Sequence, residues 1–204
     1  MTRRVVPCVA AIVAAIAAVP LAQSASQSGA AMPPAGIFLV GANGAETKVM
    51  VEMSGDTQSH GVAKSIVTQG ITKPSFSTRF SGASAKLQVT DPQPAFVFRF
   101  PDMKRMSQIA QADPMAMMAA MNNGDTMMGG SSPKDYTLGR LPVDGDARVA
   151  SSKGMDTFKF ESTRRAPMEF DVKVTSALQP GEYAFYMGKG GAPPAIWAFS
   201  VKAK

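Results

Sequence analysis

Apolar and polar residues alternate along several short runs of this chain, and that period of two most restricts what it can fold into. In Met168-Glu169-Phe170-Asp171-Val172-Lys173-Val174-Thr175, Met168, Phe170, Val172 and Val174 face one way and polar or charged residues the other. Phe96, Phe98 and Phe100 form an aromatic stripe with Val97 and Arg99 opposite. The alternation recurs at Val49-Val51-Met53, Ala85-Leu87-Val89, Phe158-Phe160, Tyr183-Phe185-Met187 and Trp197-Phe199-Val201. Successive strand side chains point to opposite faces, so each run reads as a strand with one buried face.

Turn chemistry separates the runs. Gly41-Ala42-Asn43-Gly44, Asp91-Pro92, Asp144-Gly145-Asp146 and the stretch from Gly188 to Pro194 supply residues that accept positive φ or fix φ near −65°. About ten short strands with one apolar face each predict an all-β fold, an antiparallel two-sheet sandwich of the Ig-like, Greek-key type. Leu178-Gln179-Pro180-Gly181-Glu182-Tyr183 has the L-x-P-G-x-Y form of a tyrosine corner. There the tyrosine hydroxyl bonds back to upstream backbone and pins a crossover between sheets, which gives Tyr183 a structural role.

Three stretches together resemble a group of bacterial exported β-sandwich proteins that is itself uncharacterised. They are Phe96 to Phe100, Ser132-Pro133-Lys134-Asp135-Tyr136-Thr137-Leu138, and Pro180-Gly181-Glu182-Tyr183-Ala184-Phe185. The resemblance spans roughly residues 90–204. It implies the sandwich fold and carries no activity or site residues with it.

The N-terminus has the three parts of a secretory signal peptide. Arg3 and Arg4 form a positive n-region, Val5 to Ala22 is free of charge, and small or polar residues follow from Gln23 to Ala30. Ala22-Gln23-Ser24 suits cleavage after Ser24, with Ser28-Gly29-Ala30 as a second option. A retained anchor would need about 20 apolar residues, and a lipoprotein would need its cysteine at the cleavage point, whereas Cys8 stands at the start of the apolar run. The expected organisation is a signal peptide over 1–24, a flexible linker over 25–34, and a sandwich domain over 35–204 with an insertion at 101–134. The expected location is periplasmic or secreted, with no membrane span after cleavage.

Cleavage changes the composition that matters. The only cysteine, Cys8, leaves with the signal, so neither a disulfide nor thiol chemistry is available. Loss of Arg3 and Arg4 lowers the formal net charge from +6 to +4. The remaining charges are scattered, with Arg164-Arg165 the longest basic run, which argues against a nucleic-acid partner.

The insertion breaks the β pattern. Eight of the 15 methionines lie between Met103 and Met128. Met103 to Ala112 suits a short helix, and Asp113-Pro114 is a helix start, with Asp as N-cap and Pro at the first position. Met115 to Met121 would follow as a second helix stopped by Asn122-Asn123-Gly124, and Gly124 to Ser132 reads as a flexible tip. Met103/Met106 and Met117/Met121 have the spacing of an apolar helix face covering a sheet, and Met fills irregular gaps. The alternative is a soft-metal site for copper or silver, because thioethers suit Cu(I) and Ag(I). Its candidate ligands are Met115, Met117, Met118, Met121, Met127 and Met128. A third role is a sacrificial sink for oxidants.

Residues for catalysis are sparse. His60 is the only histidine, and its neighbour Ser59 points to the other side of an extended chain, so the pair makes no triad; it reads as a solvated loop histidine. No His/Cys set exists for zinc. Asp144-Gly145-Asp146 lacks the further oxygen ligands of a calcium loop, and Gly188-Lys189-Gly190-Gly191 leads into Ala192-Pro193-Pro194 rather than a phosphate-binding helix. The chain is therefore expected to be non-enzymatic, with no catalytic or cofactor-binding residues, and to bind or organise an envelope component through the insertion. A methionine-based metal binder is the first alternative and a hydrolase with a site hidden from sequence the second.

Overall fold

The computed structural model describes residues 34–60, 75–113, 115, 129–151, 155–187 and 193–203. The expected signal peptide and nearly all of the linker lie outside the described residues. In chain order the strands are β1 (Gly36–Val40), β2 (Glu46–Lys48), β3 (Val51–Met53), β4 (Asp56–His60), β5 (Ser75–Ser81), β6 (Gln88–Val89) and β7 (Ala95–Arg99). After the helix α1 (Met103–Ala112) come β8 (Tyr136–Leu141), β9 (Val143–Asp144), β10 (Ala147–Ser151) and β11 (Thr157–Phe158). The last four are β12 (Phe160–Ala166), β13 (Glu169–Val174), β14 (Gly181–Met187) and β15 (Ala195–Val201).

The fold is the expected antiparallel sandwich with one short helix. A first sheet runs β12-β13-β7-β1-β2 and a central sheet runs β11-β8-β14-β15-β3. The aromatic stripe on β7 packs into β14: Phe96 and Phe98 each lie 5.0 Å from Phe185, ring to ring and nearly edge-on. Val172, Val174, Tyr183, Trp197, Phe199 and Val201 join this core on the face that alternation assigns, and Ile37 and Leu138 join it from strands outside those runs. The chain crosses between sheets at Lys159: Phe158 pairs with Leu138 in the central sheet, while Phe160 pairs with Val174 in the first. Tyr183 donates its hydroxyl to the Gln179 carbonyl at 2.7 Å, so the tyrosine corner is present.

A third sheet, β4-β5-β10-β9, adds a layer that alternation does not announce. It covers the other face of the central sheet, where Phe80, Ala85, Leu141, Ala150, Ala184, Tyr186, Ile196 and Ala198 form a second core. Residues 182–186 of β14 and 196–201 of β15 are therefore buried on both faces. Strands buried twice read as continuous apolar runs, as Tyr183-Ala184-Phe185-Tyr186 and Ile196-Trp197-Ala198-Phe199 do. Arg148 of β10 fastens the layers. Its guanidinium donates to the Gly82 and Ser81 carbonyls at 2.8 and 3.0 Å and pairs with Glu52 on β3.

Three details depart from the simple strand pattern. The run that begins at Met168 starts as a strand only at Glu169; Met168 is the second residue of a Pro-Met turn with φ 61°, a region non-glycine residues seldom occupy. Its side chain still packs against the first core. Of the run 85–89 only Gln88–Val89 is strand, and it pairs with β15 in parallel. His60, read as a loop residue, closes β4, where its backbone is paired with Ser75. β4 and much of β5 are polar, which hid a sheet edge behind a loop-like composition.

All three tyrosines of the chain, Tyr136, Tyr183 and Tyr186, are buried, and burial raises the pKa of each above the usual 10. The unfolded phenols ionise near pH 10 while the folded ones stay neutral, so this contribution to stability is complete below pH 10 and falls as the pH rises beyond it. Absorbance at 295 nm should show no tyrosinate near pH 10, then a steep rise coinciding with the loss of Trp197 fluorescence. A smooth single-proton titration near pH 10 in the folded protein would contradict this burial.

Candidate interaction surface

The stems of the methionine-rich insertion are built by local chemistry. Asp102 caps α1, accepting the Lys104 amide on its side chain at 3.0 Å and the Met106 amide on its carbonyl at 2.8 Å. Met106 is buried while Met103 is 70% exposed, so this pair does not share one apolar face. Asp113 accepts the Met115 amide at 3.0 Å, the bond expected of an N-cap, and Met115 is exposed. The chain returns through a capping box in which Ser132 accepts from the Lys134 amide and Asp135 accepts from Ser132. The Tyr136 hydroxyl then ties the stem down by donating to the Gly129 carbonyl at 2.9 Å.

Both stems belong to one end of the first core. α1 follows Phe100, whose ring lies 6.1 Å from that of Tyr136, and Tyr136 pairs with Met187 of β14. In the next two strands of the central sheet Ala195 pairs with Met53. Phe185 pairs with Trp197, so the same register carried two residues further brings Met187 level with Ala195. Met187 and Met53 thus flank a small alanine, and both are about half exposed, at 48% and 54%. Gly129 crosses directly over Met187: a Cβ at this glycine would meet the Met187 sulfur at 2.7 Å.

Of the methionines singled out as soft-metal ligands, Met115 is on this surface's stem. Met117, Met118, Met121, Met127 and Met128 lie outside the described residues. Met53 and Met187 escaped sequence reasoning because their parity places them with core residues; they stand one step beyond the end of that core. Among the described residues no group of three His, Cys, Asp or Glu side chains gathers. Asp144-Gly145-Asp146 forms the β9–β10 turn, with Gly145 at φ 63° and Asp144 held by Arg79 at 2.6 Å.

A cleft of about 470 Å³ opens at the far end of β8, lined by Arg140, Leu141, Val143, Asp156 and Glu182 among others. Glu182 is buried, and its carboxyl oxygens are occupied. They accept from the Ser200 hydroxyl at 2.6 Å, the Ser84 hydroxyl at 3.1 Å and the Ala85 amide at 2.7 Å. Gln88 donates to the Ala85 carbonyl at 2.7 Å and closes the network. Arg140 donates to the Pro180 carbonyl at 3.1 Å. The Glu182 network fixes the loop at 84–88 to the central sheet; sequence reasoning met Ala85 and Glu182 only as members of a strand run and of the tyrosine-corner motif. Among the described residues no helix is long and apolar enough to cross a membrane. Comparison with known protein families, curated proteins and solved structures returns no match.

Proposed function

We propose that the chain is an exported, non-enzymatic binding module of the cell envelope, periplasmic or secreted, that meets its partner at the methionine end of the sandwich. The observation that carries this reading is the gathering of exposed thioethers from separate elements. Met53 and Met187 stand half exposed on either side of Ala195 from separate strands, and Gly129, where the insertion returns, lies over Met187. Thioether side chains are flexible and polarisable and suit adaptable apolar contacts. The export-type N-terminus and the resemblance over residues 90–204 support the compartment.

Photo-crosslinking in cells tests the proposal. A benzophenone side chain at position 53 or 187 is expected to give the same adduct, and one at exposed Val143, at the far end of β8, to give none. Deleting residues 113–128 should abolish the adduct while the tryptophan emission stays native. Equal adducts from position 143, or adducts that survive the deletion, would rule the surface out. The placement of Met53 and Met187 on either side of Ala195 favours a second reading, capture of Cu(I) or Ag(I) by thioethers. Titration with Cu(I) against a competing chelator distinguishes the two. Binding weaker than micromolar, or unchanged both by leucine at Met53 and Met187 and by leucine at Met115, Met117, Met118, Met121, Met127 and Met128, excludes the metal.

A further inference from the structure

We infer that β12 is a self-association edge through which two copies of this chain join their first sheets. Among the described residues β12 is paired on one side only, with β13. An unpaired edge presents backbone donors and acceptors that another strand can take up. The parity of that edge follows from the ladder. Thr175 donates its amide to the Lys159 carbonyl at 3.2 Å, and Glu161 and Thr163 stand opposite Lys173 and Asp171 in the same register. Glu161 and Thr163 therefore bond to β13, and Phe160, Ser162 and Arg164 aim their backbone groups outwards.

Charge selects both the partner and the register. Two-fold antiparallel pairing of β12 with itself is centred on Ser162, Thr163 or Arg164. The last places the two Arg164 side chains opposite each other. The first leaves Glu161 facing a threonine. Centring on Thr163 sets each Glu161 opposite Arg165 of the other copy, twice over by symmetry, and matches outward-pointing Ser162 with outward-pointing Arg164. Glu161 then faces the guanidinium of Arg165, the residue at which the ladder to β13 shifts register, and opposite charges across a strand pair attract.

The charges suit that role. Glu161 is exposed and enters none of the ion pairs formed by the described residues. Arg165 is half exposed and held loosely, 3.5–3.7 Å from Glu46, Glu169 and Asp171. The irregularity between Arg164 and Ala166 ends the regular edge there and limits the contact to one short strand pair, so the dimer is weak and concentration-dependent.

Sedimentation velocity over a concentration series, on the chain beginning at Ala25, tests the inference. Monomer–dimer exchange that weakens with added salt is expected. Glu161→Arg and Arg165→Glu should each weaken dimerisation by about tenfold or more, and the double reversal should restore it. Ser162→Pro removes an outward N–H that β13 does not use, so it should abolish the dimer while circular dichroism stays native. A monomer at every concentration, a dimer indifferent to Ser162→Pro, or a double reversal as weak as the singles would overturn the inference.

Discussion

Replacing Arg148 by alanine is expected to cost about 3–5 kcal/mol of stability, because one side of a buried ion pair is removed and the other left behind. Arg148 is 2% exposed, and its guanidinium satisfies the Ser81 and Gly82 carbonyls as well as Glu52. Truncation leaves two backbone acceptors and a carboxyl group without their donor, and opens a cavity beside Phe80 and Ala150 of the second core. Glu52→Ala should cost less, since Glu52 is more exposed and Arg148 keeps both carbonyls. Arg148→Met with Glu52→Leu should recover only part of the loss, because it removes the orphaned carboxyl group but leaves the Ser81 and Gly82 carbonyls without a donor. Urea denaturation followed by Trp197 fluorescence gives the total. Hydrogen exchange at Ala150 against Phe98 shows whether the third sheet opens first. A loss below about 1 kcal/mol for Arg148→Ala would mean that the guanidinium does not hold the layers together.

The third sheet also marks the limit of what alternation reveals. The first core was legible because its strands keep one apolar and one polar face: Phe96, Phe98, Phe170, Val172, Phe185 and Phe199 all point where a period of two places them. The tyrosine corner was legible because six residues specify it locally. The second core is made largely of alanines and of residues on the nominally outer faces of β14 and β15. Ala184 and Ala198 are small enough to pass for neutral positions, so the covering sheet is signalled only by Tyr186 and Ile196, which make both runs continuously apolar. β4 and β5 contribute Thr57, Thr78 and Phe80 to a face that is half polar, which resembles a loop until its partner is known.

Site legibility failed for a related reason. A methionine at the end of an alternating run has the parity of the core, and only the third dimension shows that Met53 and Met187 lie past its edge. Glu182 sits between Gly181 and Tyr183 in the tyrosine-corner motif and reads as the polar face of a strand. It is in fact buried, because that face meets the loop at 84–88, about a hundred residues earlier in sequence. Pairings across that distance leave no local trace.

Glu182→Ala is expected to destabilise by about 3 kcal/mol, most of it from one group. The hydroxyls of Ser84 and Ser200 can rotate to bond each other, since they stand 2.9 Å apart. The Ala85 amide cannot turn, and without Glu182 it is a buried donor with no acceptor. Glu182→Gln keeps one acceptor for that amide, and its NH₂ group can donate to a rotated hydroxyl, so about 1–2 kcal/mol is expected. The pair of substitutions also discriminates between functions. A carboxyl group kept for catalysis is typically held at a cost to the fold, and its removal often stabilises. Glu182 is among the residues that line the cleft with Arg140 and Asp156. If chemical denaturation shows Glu182→Ala to be more stable than the parent chain, the carboxyl group is not there to hold the loop, and a hydrolase assay on this cleft becomes the next test. A loss of the expected size assigns the carboxyl group to holding a loop, and leaves the methionine end as the surface on which function is to be sought.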